Sequence, residues 1–356
     1  MPLCNSAPTE RDTVAHDFAM KELALQAGVS LATVDRVLHQ RPGVRVATQR
    51  RVQQAWAELE RQQQQVGLRG QRLLIDLVME APTRFSRMVR GALDEAMRRA
   101  QPAVFRARDH LAETRSAEQW VAVLDGIARR GSHGVLLKAP DLPVVAEAVA
   151  RLQARRIPVV TLVTDVPSAP RRAYVGLDNR CAGQTAAYLV DQWLGAPGCD
   201  VLVSSSGQRF QGEGERIEAF REALAVTRPA CGVQVLDAGQ GLHTPTVATV
   251  GRLLARQPRI AAVYSVGGAN AAIRVAFEQA GRACLVFIGH DLDDDNLALL
   301  RKRQLSAVLH HDLHHDLHLA CHLLMQHHGA APSAAAPTRS NVEVITPFNL
   351  PANLSR

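Results

Sequence analysis

The chain has 356 residues, 47% of them hydrophobic and 21% charged, with a formal net charge of +7. That length exceeds the roughly 250 to 300 residues served by one core, so a large body with a small appendage is expected. No run approaches the roughly 18 uninterrupted apolar residues needed to cross a bilayer, which excludes a membrane-spanning protein.

The charge becomes informative once it is located. Between Arg36 and Arg72 eight Lys/Arg residues face only Glu58 and Glu60, a local excess of +6 that leaves +1 for all other residues together. Such a patch is the electrostatic footprint of phosphate contact, although a basic run can also be a solvated face. Residues 1–17 carry neither the basic start, the apolar stretch nor the cleavage site of a signal peptide, so a disordered leader and a cytoplasmic location are expected. Cys4, Cys181, Cys199, Cys231, Cys284 and Cys321 are scattered without a C-x-x-C spacing, which predicts reduced thiols in packing positions.

Residues 18–60 read as three short helices forming a small all-α head. Met20, Leu23, Ala24 and Ala27 recur at helical spacing, and Gly28-Val29-Ser30 then supplies a stop, a buried turn residue and an N-cap. A second helix runs from about Leu31 to His39, ended by Pro42-Gly43, and a third from about Ala47 to Glu60. The apolar faces close a miniature core and leave Leu31, Ala32, Asp35, Arg36 and His39 outside. Residues 61–72, with four consecutive glutamines, Gly67 and Gly70, read as a polar, basic linker. From 73 to 350, short apolar runs alternate with amphipathic stretches. Strands are expected at 73–79, 134–137, 157–162, 201–204, 233–236, 260–265 and 284–288. This alternation specifies an α/β body of parallel sheets with helices on both faces, of a length that suits two similar lobes. Residues 351–356 are a tail.

The segment from Leu23 to His39 strongly resembles the helix-turn-helix of the lactose/galactose repressor family. Its pattern is matched at Ala24, Ala27, Gly28, Val29, Ser30, Thr33, Val34, Arg36, Val37 and Leu38. The resemblance implies a recognition helix in the major groove of double-stranded DNA, with Leu31, Ala32 and Arg36 facing bases. Ser30, Thr33, Arg41 and Arg45 would hold the backbone. Arg36 could pair bidentately with a guanine, or contact a phosphate or a surface carboxylate. Asp35 departs from the family's serine; it could accept from cytosine, or pair with Arg36 or Arg50. The linker departs further, being short and glutamine-rich, with Leu68 as its only plausible minor-groove wedge.

The body is similar to the periplasmic-binding-protein-like core of the same family, on Ile157-Pro-Val-Val-Thr, Tyr174-Val-Gly-Leu-Asp-Asn179, Gly183, the stretch from Ala262 to Asn270, and Phe287-Ile-Gly-His-Asp291. The resemblance implies a sugar-like effector bound between two lobes at the carboxyl ends of strands, contacted by Phe85, Asp165, Arg216, Asn270, Asp291 and His311. It also implies a homodimer on a palindromic operator and regulation by lobe closure.

Other readings rank lower. Gly267-Gly268-Ala269 lacks the spacing of a phosphate-cradling loop. His311, His315, His318 and His322 fall at helical spacing that could hold zinc, but a histidine-rich solvent face needs no metal, and neither metal nor cofactor is expected. No nucleophile, base or paired-carboxylate arrangement suggests an enzyme. The alternatives are an exported solute-binding protein of the same fold, or a DNA-binding scaffold with a ligand-silent pocket.

Overall fold

A computed structural model describes residues 20–67, 72–195, 198–207, 210–238, 242–333 and 337–351, without the side chains of 60–67. The leader, Leu68 and most of the tail lie outside the described residues. The chain divides into two compact units, one ending at Arg69 and the other beginning at Gly70.

The first unit consists of α1 (Met20–Ala27), α2 (Leu31–Leu38) and α3 (Val46–Gly67). Leu23, Ala24, Ala27, Val34, Val52, Ala55 and Leu59 form its core, with Val29 packed against them. Gly28 has φ +61°, which an L side chain rarely adopts and glycine adopts freely. Arg51 of α3 donates to the Ala27 and Gly28 carbonyls at 2.7 and 3.1 Å, satisfying acceptors that the end of α1 leaves open. Helix α3 runs on through the glutamine run to Gly67 instead of ending near Glu60. Glutamine is a good helix former, and no proline interrupts the run.

The second unit contains two parallel sheets built to one plan. The first holds β1 (Arg72–Glu80), β2 (Val104–Ala112), β3 (Val135–Lys138), β4 (Val159–Leu162) and β5 (Ala173–Leu177), in spatial order β2-β1-β3-β4-β5. The second holds β6 (Asp200–Ser205), β7 (Val233–Asp237), β8 (Ile260–Ser265), β9 (Val286–His290) and β10 (Ala307–His310), in the equivalent order β7-β6-β8-β9-β10. Two short strands finish the sheets: β11 (Arg339–Ser340) lies parallel to β5, and β12 (Glu343–Ile345) antiparallel to β10. Three segments therefore pass between lobes: the one into α7 (Asn179–Trp193), the one into α12 (Leu313–His327), and the link from β11 to β12. The remaining helices are α4 (Thr83–Arg99), α5 (Ala117–Arg130), α6 (Pro143–Ala154), α8 (Gln211–Thr227), α9 (His243–Arg256), α10 (Asn270–Gln279) and α11 (Asp294–Arg301). None of the described helices is long and apolar enough to cross a membrane.

Strand β2 went unrecognised in the sequence because its face is charged. Arg108 stands opposite Asp76 of β1 and grips that fully buried carboxylate through Nε and Nη2 at 3.0 and 2.7 Å, with His110 joining at 2.9 Å. Burial alone would raise the Asp76 carboxyl, but bonds from Arg108, Ser132, His110 and Arg130 hold it below the usual range. An edge strand tolerates such charge, and the ion pairs stand in for the apolar alternation that marks interior strands. The five described cysteines are unpaired; Cys321 is buried and Cys181 exposed.

Helices α7 and α8 approach closely at Gly183. A Cβ there would lie 2.3 Å from the Arg216 carbonyl oxygen and 3.0 Å from the Phe220 amide, both backbone atoms that cannot rotate away. Gly183→Val is expected to destabilise the body by about 1–3 kcal/mol, read as a lower urea midpoint; an unchanged midpoint would contradict this packing.

Candidate functional site

Two regions carry candidate functional side chains, one in each unit. In the head, Ser30 caps α2: its Oγ accepts from the Thr33 amide at 3.2 Å and lies 2.9 Å from Thr33 Oγ1. Leu31 is 44% exposed, Ala32, Arg36 and Arg45 are exposed, and Val34 is buried in the core. Among the described residues no group engages the Arg36 guanidinium, so the end of this side chain is uncommitted. Asp35 takes neither of the partners expected of it. Arg41 donates to it at 3.0 Å and His39 Nδ1 lies 3.0 Å from its carboxylate. Arg41 is 59% exposed, and a pair this open holds by only about 0–1 kcal/mol, so a phosphate can take the arginine over.

In the body, the cleft lies where parallel strands of both sheets end. From the first lobe it is lined by Glu80 at the end of β1, Lys138 at the end of β3, Thr164 just past β4, and Arg84 and Phe85 in the first turn of α4. From the second come Ser206, Phe210, Glu213, Arg216, the Gly267-Gly268 loop, His290, Asp291 and Asp293. This is the crevice that α/β sheets offer to ligands, at the carboxyl ends of their strands. Asp291 adopts φ +64°, an unusual conformation for a side-chain-bearing residue, and its amide donates to the Leu309 carbonyl at 3.1 Å.

Most carboxylates in the cleft already have partners. Glu213 accepts from the Ser206 amide at 2.9 Å and from the Ser206 hydroxyl; its burial raises its carboxyl. Asp293 accepts from Arg84 and from the Asn296 amide at 3.0 and 2.8 Å, and Glu113 from Thr83. The cations are less well matched. Arg216 is 5% exposed, and its Nε donates to Asn179 at 2.7 Å. Lys138 is 8% exposed, donates to the Glu80 carbonyl at 2.8 Å and sits 3.7 Å above the centre of the Phe210 ring. His290 Nε2 is 2.8 Å from the Tyr264 hydroxyl, while its Nδ1 is buried without a partner. Burial holds His290 well below the ordinary histidine range, with Arg216 adding to the effect, so the ring is neutral.

Of the six residues expected to contact a ligand, Phe85, Arg216 and Asp291 line the cleft; the other three stand behind it. His311 is fully buried, its Nδ1 2.6 Å from Asp316 and its Nε2 3.7 Å from Asp291. Asn270 donates through Nδ2 to Asn296 at 2.7 Å, while its buried Oδ1 has no partner among the described residues. Asp165 lies outside the cleft lining and is held within its own loop, where Thr161 Oγ1 and the Val166 amide each reach it at 2.8 Å and Arg171 closes on it as well. His311 also precedes α12 and does not share a helical face with His315, His318 and His322. Among the described residues no group of three or more His, Cys, Asp or Glu side chains gathers as a metal site. Sequence reasoning missed Lys138, Glu80 and His290, each the last residue of its strand; Lys138 and His290 are the one polar side chain of theirs, whereas β1 also carries Arg72 and Asp76. That position was the available signal, since a parallel strand delivers its last residue to the cleft.

Lys138 supplies a pH test. Burial pulls its ammonium from 10.5 down to about 8, against the opposing pull of Glu213, Glu80 and Asp291 and with the support of Arg216. Between those values the unfolded chain holds a proton that the folded chain has released, so stability rises with pH across the window and is lowest below it. Relative to Lys138→Met, the wild-type chain should gain on the order of 1–3 kcal/mol from pH 7 to pH 10, measured by denaturant melts at both pH values. Parallel pH curves for the two proteins would mean that the ammonium is not buried.

Comparison with known proteins now adds the family. The model for the periplasmic binding protein domain matches residues 83–329, and that for bacterial regulatory proteins, lacI family, matches residues 19–61. Among solved structures, the chain is similar to GanP, a glucose-galactose binding protein from Geobacillus stearothermophilus (18% identity, TM-score 0.67, 79% of this chain and 99% of that one). It is also similar to a protein assigned to the LacI transcriptional regulators of Bacteroides fragilis (16%, 0.70, 79% and 98%). A third is a carbohydrate transporter from Acidothermus cellulolyticus 11B in complex with myo-inositol (16%, 0.68, 78% and 95%). At these identities the likeness is one of fold. No curated protein matches the chain. With a lacI-type head at residues 19–61 and a periplasmic-binding-protein body over most of the remainder, the chain belongs to the lactose/galactose repressor family.

Proposed function

We propose that the protein is a cytoplasmic transcription repressor that binds a palindromic operator as a homodimer and releases or grips it according to a sugar-like effector in the cleft. The observation that carries this reading is the union, in one chain, of a capped α2 with an uncommitted, exposed Arg36 and a cleft whose lining holds the buried donors Arg216, Lys138 and His290. A single small helical head buries little surface on DNA, so two heads on two half-sites are needed for useful affinity. Bonds among the described residues that span the cleft include Arg84 to Asp293 at 3.0 Å and the Gly212 amide to Thr164 Oγ1 at 3.0 Å. A ligand that favours one lobe separation biases the body by its differential affinity, with coupling of roughly 1–3 kcal/mol and equal in both directions.

The exported solute-binding reading draws on the sugar-binding proteins among the structural neighbours. It leaves the basic helix-turn-helix without a role. A ligand-silent scaffold would leave Lys138, Arg216 and His290 buried for no return.

The test uses duplexes selected from a random library by the purified full chain. Arg36→Ala should weaken the preferred duplex by roughly 1–3 kcal/mol relative to a scrambled one and leave effector binding intact. Asp291→Ala should abolish the effector's influence and leave the preference for the duplex. Gel-shift titrations at two salt concentrations read both; absence of any salt-sensitive preference among duplexes would overturn the assignment.

A further inference from the structure

Two buried cations line this cleft with no carboxylate at ion-pair distance among the described residues. Arg216 and Lys138 each make one hydrogen bond there, to Asn179 and to the Glu80 carbonyl. Of the nearby carboxylates, Glu213 is engaged by Ser206, Glu80 by the Arg115 amide and Asp293 by Arg84, and Glu213, Glu80 and Asp291 act on Lys138 only from beyond ion-pair distance. Beside the two cations stands the unpartnered, buried Nδ1 of His290. The contrast with Asp76 is instructive, because that equally buried charge is gripped by Arg108, His110 and Arg130.

The orientation of Arg216 narrows the ligand. Asn179 holds Nε, which leaves the two terminal nitrogens as a fork matched to the two oxygens of a carboxylate. Lys138 adds an ammonium with two further N–H groups to give. Neutral hydroxyls can accept such bonds, but they bring no counter-charge when the cleft excludes water, and a buried charge without one is expensive. The opposite limit is set by Asp291 and Glu213, which line the same cleft and repel a dianion such as a phosphate ester. Asp291, whose carboxylate stands 3.7 Å from His311 Nε2, remains as an acceptor for ligand hydroxyls, and Phe85 and Phe210 offer apolar faces.

We propose that the effector is a polyhydroxylated monocarboxylate, a sugar acid, with its carboxylate on Arg216 and Lys138 and its hydroxyls on Asp291 and His290. This rests on the effector-sensing reading above and names its chemical class.

The experiment is calorimetric titration of the full chain with D-gluconate, D-glucuronate, D-galacturonate and D-ribonate. The matched neutral compounds are D-glucose, D-galactose and D-ribose, and D-glucose 6-phosphate and D-ribose 5-phosphate are the phosphate arm. At least one acid should bind tenfold or more tighter than its neutral match and its phosphate. Lys138→Gln should erase that preference while Lys138→Arg keeps it, circular dichroism verifying that both fold. A neutral sugar or a phosphate ester binding as well as or better than the acids overturns the sugar-acid assignment but leaves sensing intact. Failure of every compound to bind overturns the sensing reading and this inference together.

Discussion

The direction of the strands governs the rest of this molecule. In a parallel sheet every strand ends at the same edge, and here two sheets of equivalent order present those edges to one crevice. Side chains far apart in sequence, such as Lys138 and His290, therefore line one cleft without any dedicated loop to carry them. Apolar helices seal the sheet faces: Trp120, Leu124 and Ile127 cover the first, and Ile273, Phe277 and Leu300 cover the second. The cleft receives the polar residues at the strand ends, while Asp76 keeps its charge inside the first sheet through Arg108, His110 and Arg130.

Burial gives that chemistry its character. A guanidinium or ammonium held in a low-dielectric crevice interacts strongly with whatever charge or dipole arrives, because water no longer competes. The same burial is unfavourable before anything arrives, and the chain limits the penalty with single, directional bonds. Asn179 fixes Arg216, the Glu80 carbonyl and Phe210 ring hold Lys138, and Tyr264 holds His290. Each bond orients a donor without neutralising it, an arrangement suited to ligand capture rather than to stability.

The lobe crossings lie directly behind this crevice. Asp316, one turn into α12, takes His311 on one side and Ser340 of β11 on the other, at 2.6 and 3.3 Å. Arg339 of β11 reaches Asp178, the cap of α7, at 3.3 Å. All three crossing segments are thus tied to one another, and His311 stands between that knot and Asp291 at the cleft wall. A change in lobe separation must work through these few contacts, since crossing segments alone connect the two cores covalently.

Much of this was written in local pattern. The head was legible because Gly28, Ser30 and the spacing of Leu23, Ala24, Ala27 and Val34 act within one or two helical turns. The interior strands β5 and β10 were passed over, but β1, β3, β4 and β6 to β9 were legible because apolar runs need no partner to declare themselves. Strand β2 was not, since Arg108 and His110 make sense only opposite Asp76, and that pairing exists in the sheet and nowhere in the sequence. Phe85, Arg216 and Asp291 line the cleft, whereas Asp165, Asn270 and His311 lie outside its lining and bond to Arg171, Asn296 and Asp316, with Asn270 Oδ1 and His311 Nε2 left without a hydrogen-bond partner. The amino-acid order by itself determined the two-part architecture and the face that α2 presents, because both follow from short-range periodicity and capping. Only tertiary structure decided which polar residues keep free hydrogen-bonding capacity, because that depends on neighbours brought from distant segments to the same strand ends.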